Sequence, residues 1–326
     1  MILVCGEALF DVFLAGERPD GLDLDARPGG SPFNVAVGLA RLGREAGLFT
    51  GLSTDWLGGR LAAVLEREGV DTRWLRRLDR PATVSFVGLG ADGSPSYAFY
   101  GEGAADRALS GDDLPVALDG VKALHLGSYT AAVEPVASTQ HALLDLAQGC
   151  LVSYDPNIRP TVEPDLERWR RAVARMTARA DLVKVSREDL ETLYPGTPVE
   201  TIAAGWLDAG VALVIVTDGG RGAQAWTGRA QASVGGEAVS VVDSVGAGDT
   251  FQAALLAALD ESGRLSRGGL EGLDGEGLEY LLAFAGRAAA LVVSRRGADM
   301  PRRDELPALA GFPPLAGSSP PRGLDE

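Results

Sequence analysis

The stretch Asp243-Ser244-Val245-Gly246-Ala247-Gly248-Asp249-Thr250-Phe251 decides how the rest of the chain is read. Val239, Val241 and Val242 precede it and read as the end of an apolar strand. Phe251, Leu255 and Leu259 follow at helical spacing and predict a helix over 249–259 with one buried face. The first amides of a helix lack internal partners, and the helix dipole adds positive charge there. Gly246, Ala247 and Gly248 carry so little side chain that an anion such as phosphate can come close to those amides. Asp249 sits beside this hole, placed to take a proton from an attacking hydroxyl. The helix end should lower its pKa and make it a weak base. That suits a proton that moves late and a carboxylate that also orients the hydroxyl. An ordinary capped helix is the plainer account of the same residues.

Outward from this point the chain alternates strands and helices. Strands are predicted at 2–5, 46–52, 123–126, 150–154, 182–185 and 211–217. Helices are predicted at 33–42, 57–68, 136–148, 166–180, 199–209 and 278–293. This rhythm argues a doubly wound α/β fold with a mainly parallel central sheet covered on both faces. Residues 82–100 break it. Two β-rich runs flank the turn Ala91-Asp92-Gly93-Ser94 with no helix between them, so this hairpin should leave the main sheet. A second β-rich segment spans 222–242. Residues 260–277, rich in Gly and charge, read as a loop, and 311–326, rich in Pro, Gly and Ser, as a flexible tail after one domain of 1–310.

Composition limits the chemistry. The net charge of −15 leaves no broad basic face for nucleic acid or an anionic membrane. An anionic ligand must then be held by backbone amides and a few cations. Only two lysines occur, Lys122 and Lys184. Cys5 and Cys150 lie in apolar runs and read as buried free thiols, which fits a reducing cytoplasm. The first sixteen residues carry Glu7 and Asp11 and no basic start, so they read as a strand rather than a signal peptide. Neither the G-x-G-x-x-G dinucleotide pattern in its strand–helix setting nor the G-x-x-x-x-G-K-[ST] loop is present. With two His and no H-E-x-x-H, a transition-metal hydrolase is disfavoured as well.

A second block, Gly29-Gly30-Ser31-Pro32-Phe33-Asn34-Val35-Ala36, lies near the start. Paired glycines let a polyol touch backbone amides, and Asn34 at a helix start can both donate to and accept from hydroxyls; a helix cap is its plainer role. Asp11 falls just past the first strand, at the carboxyl edge where open α/β sheets bind ligands. Together the two blocks resemble the two signatures of the ribokinase-like (PfkB) family of carbohydrate kinases, and the similarity extends over about residues 1–310.

That resemblance implies an ATP-dependent sugar kinase using Mg²⁺, with Asp249 as base and Gly246, Ala247 and Gly248 as the anion hole. It implies sugar contacts from Asp11, Gly29, Gly30 and Asn34. Asp155-Pro156-Asn157-Ile158-Arg159 is similar to a block in fructokinases and 2-keto-3-deoxygluconate kinases, and brings Arg159 to the substrate or phosphate region; a structural Arg at a turn is the alternative. Lys184-Val185-Ser186-Arg187-Glu188-Asp189 stands where the family has Asn-x-x-Glu, with Ser186 for Asn and Asp189 for Glu. Asp189 is then expected to reach Mg²⁺ through water, and Lys184 either to face the phosphates or to be a surface lysine at a strand end. Thr217, Gly219 and Gly222 resemble the family's nucleotide loop. K⁺ near Asp243 is a further expectation from the family.

The segments at about 13–27 and 82–102 resemble the family's β-lid, which would exclude water from the sugar. Phe86, Tyr97 and Phe99 are its candidate sugar-facing aromatics; a small hydrophobic underside or a homodimer contact between two lids accounts for them equally. The run from Tyr97 to Arg107 is more like fructokinases than other branches. 2-Keto-3-deoxygluconate kinase is the alternative, with Arg107 and Arg159 as candidate cations for an acidic sugar. A sensor of sugar or nucleotide on the same fold is the alternative of a different class.

Overall fold

The computed structural model describes residues 1–89 and 95–309, so the turn at 91–94 and the tail at 311–326 lie outside the described residues. Strand β1 (Ile2–Cys5) sends Ile2 and Val4 to one apolar core and Leu3 and Cys5 to another. This is the period of two expected of a strand buried on both faces. The chain then leaves the sheet as an antiparallel hairpin, β2 (Leu9–Arg18) and β3 (Gly21–Gly29). It returns through helix α1 (Ser31–Arg41) to β4 (Ala46–Phe49), parallel to β1. Next come β5 (Gly51–Ser53), helix α2 (Trp56–Arg67) and β6 (Arg76–Leu78), which pairs with β5. Strands β7 (Val84–Leu89) and β8 (Pro95–Tyr100) join the first hairpin in a separate four-stranded sheet, ordered β3-β2-β7-β8.

The βα rhythm resumes with β9 (Ala123–Gly127), α3 (Val136–Leu146), β10 (Leu151–Asp155), α4 (Leu166–Thr177) and β11 (Leu182–Ser186). It continues through α5 (Arg187–Leu193), α6 (Val199–Asp208) and β12 (Leu213–Thr217). Antiparallel strands β13 (Ala223–Thr227) and β14 (Gln231–Val234) end the eight-stranded sheet, ordered β14-β13-β12-β11-β10-β9-β1-β4. Helices α7 (Ala247–Glu261), α8 (Arg267–Glu271) and α9 (Gly275–Val293) complete the chain. Helices α1, α7 and α9 cover one face, and α3 and α4 the other. The order reverses at β1, which passes first to β4 on one side and later has β9 on the other. Such a switch opens a crevice at the carboxyl ends of the strands.

Four local expectations change. The strand predicted over 46–52 is split at Thr50, because the chain there changes partner from β1 to β6. Val239, Val241 and Val242 form no strand. They are 37%, 68% and 61% exposed, and the amides of Val242 and Asp243 instead bond the Val293 carbonyl at the end of α9, at 2.8 and 3.2 Å. The loop expected at 260–277 contains α8, and α9 starts at Gly275; Ser266 and Asp274 cap the two helices. Of the two free cysteines, Cys5 is buried and Cys150 only half-buried.

Candidate active site

Among the described residues, five α-helices begin under a side-chain cap, from Asp55, Asp165, Ser186, Ser266 and Asp274. Helix α7 does not. Its first residue follows Gly246, which has φ 78° and no side-chain cap; the Ala247 amide makes a long 3.3 Å bond back to the Ser244 carbonyl, and no capping side chain takes the amides that follow. A Cβ on Gly246 would sit 2.7 Å from the Ala298 Cβ, so the turn needs glycine for both its backbone angle and its packing. Asp243 holds the turn open from below. Its Oδ1 accepts from the Val245 amide at 3.0 Å and its Oδ2 from the Gly297 amide at 2.8 Å.

A cleft of about 520 Å³ runs from this turn to the four-stranded sheet. It is lined by Gly246, Ala247, Gly248 and Asp249 on one side and by Asp11, Phe13, Val87 and Phe99 on the other. Gly30, Asn34 and Arg159 also line it. Asn34 Nδ2 donates to Asp249 Oδ2 at 2.8 Å. Burial raises the pKa of Asp249, opposed by hydrogen bonds from Ser31 and Asn34 and by the positive charges of Lys184 and Arg159. This corrects the expectation of a lowered value: removal from water outweighs the helix end. The carboxylate is therefore a stronger base than a helix N-terminus alone would make it.

Asp11 faces the same cleft. Burial pushes it up to about 6, with Ser85 bonding and Arg159 opposing, and the Asp249 charge adding to the rise. Gly29 does not line the cleft. Its place is explained by Asp11, whose Oδ2 would lie 2.4 Å from a Cβ there. Phe86 points away from the cleft. Side chains alternate along β7, so Val87 faces in while Phe86 stacks edge-on against Tyr100 at 5.7 Å on the outer face. Phe99 faces in and meets the Tyr129 ring at 6.5 Å. The Tyr97 side chain lies outside the described residues.

A second cleft, of about 850 Å³, adjoins the first and is lined by Ser186, Glu188, Thr217, Asp218, Gly219 and Arg221 among others. Gly222 closes the turn, its carbonyl accepting from the Asp218 amide at 2.8 Å, without lining the cleft. Lys184 lines neither cleft and is not a surface residue. It is 3% exposed and bonds Asp155 Oδ2 at 2.8 Å, and a Cβ on Gly248 would lie 3.2 Å from its Nζ. Its charge thus lies directly beneath the helix mouth. Asp189 is buried too. Its Oδ1 accepts from the Ile158 amide at 3.0 Å, which ties down the turn carrying Asn157 and Arg159. The neighbouring Glu188 is exposed and lines both clefts.

A family model described as pfkB family carbohydrate kinase matches residues 1–304. The chain belongs to the pfkB family of carbohydrate kinases. It is 39% identical over 279 residues to a fructokinase of Rhizobium leguminosarum bv. trifolii, covering 85% of each chain. Among solved structures it resembles a fructokinase with bound ATP from Xylella fastidiosa, with TM-score 0.82, 28% identity and 95% of each chain covered. A putative ribokinase II from E. coli in complex with ATP and Mg²⁺ matches with TM-score 0.79 and 25% identity over 96% of each chain. The fold class is therefore that of ribokinase-like enzymes.

Sequence reasoning missed several residues of this carbohydrate kinase's cleft. Glu7, Tyr129 and Asn157 all line it. Asn157 has φ 42°, and its Nδ2 is buried with no partner among the described residues. A polar residue just past a strand end was the available signal for Glu7 and Asn157, the same signal that had picked out Asp11. Glu188 was passed over because spacing pointed to Asp189. Adjacent helical residues face directions about 100° apart, and only the structure tells which one meets the cleft.

Proposed function

We propose that this pfkB-family enzyme is a fructokinase, converting D-fructose and ATP to fructose 6-phosphate and ADP. The observation that carries this reading is the pairing, in one cleft, of an uncapped helix mouth with an Asp249 carboxylate held by Asn34. The sugar hydroxyl attacks the γ-phosphorus in line. Its oxygen forms the new P–O bond, its proton passes to Asp249, and the bond to ADP breaks. The amides of Gly246, Ala247 and Gly248 face the charge on the transferring group, and buried Lys184 adds to that field. Asp11, Gly30, Asn34 and Arg159 orient the sugar, Gly29 leaves room for Asp11, and Phe99 covers it.

Ser186, Thr217 and Gly219 form the nucleotide side, with Gly222 closing their turn from behind, and the exposed valines before the helix mouth offer apolar surface to a base. Mg²⁺ would neutralise phosphate charge. Among the described residues no group of three or more His, Cys, Asp or Glu could hold a metal, which fits an ion carried mainly by phosphates and water. Glu188, on both clefts, is the carboxylate to reach that ion through water, in place of buried Asp189. With both Asp243 oxygens bonded to amides, K⁺ there would rest on loop carbonyls; comparing activity in KCl and NaCl tests it.

Leu14, Leu24 and Phe86 lie on one outer face of the four-stranded sheet, 48%, 49% and 39% exposed. This face supports a homodimer joined through the two lids. Among the described residues no helix is long and apolar enough to cross a membrane.

An acidic sugar such as 2-keto-3-deoxygluconate is the second reading, favoured by Arg159 in the cleft. Arg107 weakens it, being drawn to the Tyr129 ring at 5.0 Å and to buried Asp106 rather than lining the cleft. A sensor would be expected to lose Asp249 or the intact Gly-Ala-Gly turn, and both are present. Coupled ADP release over fructose, 2-keto-3-deoxygluconate, ribose and adenosine tests all three readings. ADP with fructose well above the others is expected. Preference for the acidic sugar overturns the first reading, and no ADP with any acceptor favours the sensor.

A further inference from the structure

We propose that Glu7 is a positioning residue, tying the exit of β1 to the first turn of α1 so that Ser31 and Asn34 stay seated on Asp249. Helix α1 begins at Gly30 with no side-chain cap of its own. The missing acceptor comes from 24 positions away: Glu7 Oε1 accepts from the Ser31 amide at 3.1 Å. Gly30 makes room for it, since a Cβ there would lie 3.1 Å from Glu7 Cγ and 3.0 Å from the Glu7 carbonyl oxygen. The anchored turn carries Ser31, which bonds Asp249, and Asn34, which donates to it at 2.8 Å. Release of the Ser31 amide would let both partners of the base drift.

Glu7 is 2% exposed, and its Oε2 is buried with no partner among the described residues. An uncompensated buried charge is costly, so the neutral acid is the form that fits. Burial outweighs the groups that face it. Ser128 and the Ser31 amide favour ionisation, burial and the nearby Asp106 oppose it, and Glu7 is pushed up to about 8. Arg107 serves Asp106 and the Tyr129 ring rather than Glu7. The folded chain therefore keeps a proton that the unfolded chain has lost. Glu7 makes stability fall as pH rises from about 4.5 to about 8, with no further change above.

The proposal rests on Asp249 as the base, but one of its readouts does not. Gln copies the neutral acid, while Ala removes the link. At pH 7, Glu7→Gln should keep kcat within about threefold of wild type, whereas Glu7→Ala should lose about tenfold or more in kcat with a smaller change in sugar KM. Independently of turnover, thermal melting from pH 4.5 to 8 should show a flatter decline for Glu7→Gln than for wild type. If Glu7→Ala does not fold, Glu7→Gln and the melting series still decide. A Glu7→Gln melting profile parallel to wild type overturns the neutral acid. A wild-type kcat in Glu7→Ala, or a Glu7→Gln loss as deep as that of Glu7→Ala, overturns the positioning role.

Discussion

Two ion pairs of nearly equal length lie in very different settings. Lys184 and Asp155 meet at 2.8 Å at the carboxyl edge of the main sheet, each side chain 4% exposed. Arg18 and Asp23 meet at 2.9 Å at the far end of the β2–β3 hairpin, 59% and 52% exposed. The first pair lies under the helix mouth, where burial weakens solvent screening of its charges. The second is screened on both sides and holds little. The same contrast runs through the two sheets. The main sheet is apolar on both faces and fixes Asp249 and Lys184 against buried partners. The four-stranded sheet brings Asp11, Phe13, Val87 and Phe99 to the cleft and leaves apolar side chains exposed behind them.

The hardest test of the contrast is on the main-sheet side. Asp249→Asn keeps the shape of the residue but removes the proposed proton acceptor. Turnover should fall about 10³-fold, within the range of general-base losses. ATP affinity, measured by calorimetry, should stay within about threefold, because the amide hole is untouched. Wild-type turnover would remove Asp249 from the chemistry and leave the helix mouth as an ordinary helix start.

Stability should divide the two regions next. Asp155→Ala strands the Lys184 ammonium in a dry site, and breaking a buried pair in this way costs about 3–5 kcal/mol. Asp23→Ala should cost no more than about 0.5 kcal/mol. Urea midpoints of the two variants measure both. Equal losses would erase the difference between the sheets.

How much of this could be read in advance followed the same division. The α/β rhythm was legible because β1, β9, β10, β11 and β12 are short apolar runs between helices of clear period. The helix mouth was legible because a missing side chain is itself visible in a sequence. What depended on distant partners was not. Nothing in Lys184 tells that it is buried, since its ammonium answers to Asp155, 29 residues earlier. Val239, Val241 and Val242 alternate like a strand, yet among the described residues they join no sheet, and the Val242 and Asp243 amides go to the end of α9. The Asp249 pKa was read with the wrong sign because the helix end is local, whereas burial is a property of the assembled cleft.

Asp11 links the two sheets, and pH is the way to sharpen its role. With burial holding it up to about 6, it is ionised at neutral pH and can accept from a sugar hydroxyl. Sugar kcat/KM should therefore drop as pH falls through about 6, by up to about tenfold per unit. Stability should move the other way. The folded protein holds this proton between about 3.8 and about 6 while the unfolded chain does not, so stability declines as pH rises across that window. In Asp11→Asn, sugar KM should rise about tenfold, and the acid limb of kcat/KM should shift towards that set by Asp249. An unchanged KM and an unmoved limb would take Asp11 out of the sugar site.

The smallest effect on chemistry should come from the outer face of the four-stranded sheet, which is why it probes association cleanly. Leu24 pairs with Leu14 across β2 and β3, and both are about half exposed. Neither lines the cleft. Leu24→Glu places a charge in the middle of this apolar face, where a second copy of the sheet would have to desolvate it. Sedimentation velocity should show wild type as a dimer at micromolar concentration and Leu24→Glu shifted to monomer, with kcat at saturating sugar within about twofold. A twofold limit follows from the alternation of β3: a substitution on its outward side leaves the inward row, and hence Asp11, where it was. A wild-type monomer would leave the exposed leucines without a partner copy. A monomeric Leu24→Glu with a collapse in kcat would mean that the two copies complete each other's cleft, and the division between a rigid main sheet and a passive outer one would have to be given up.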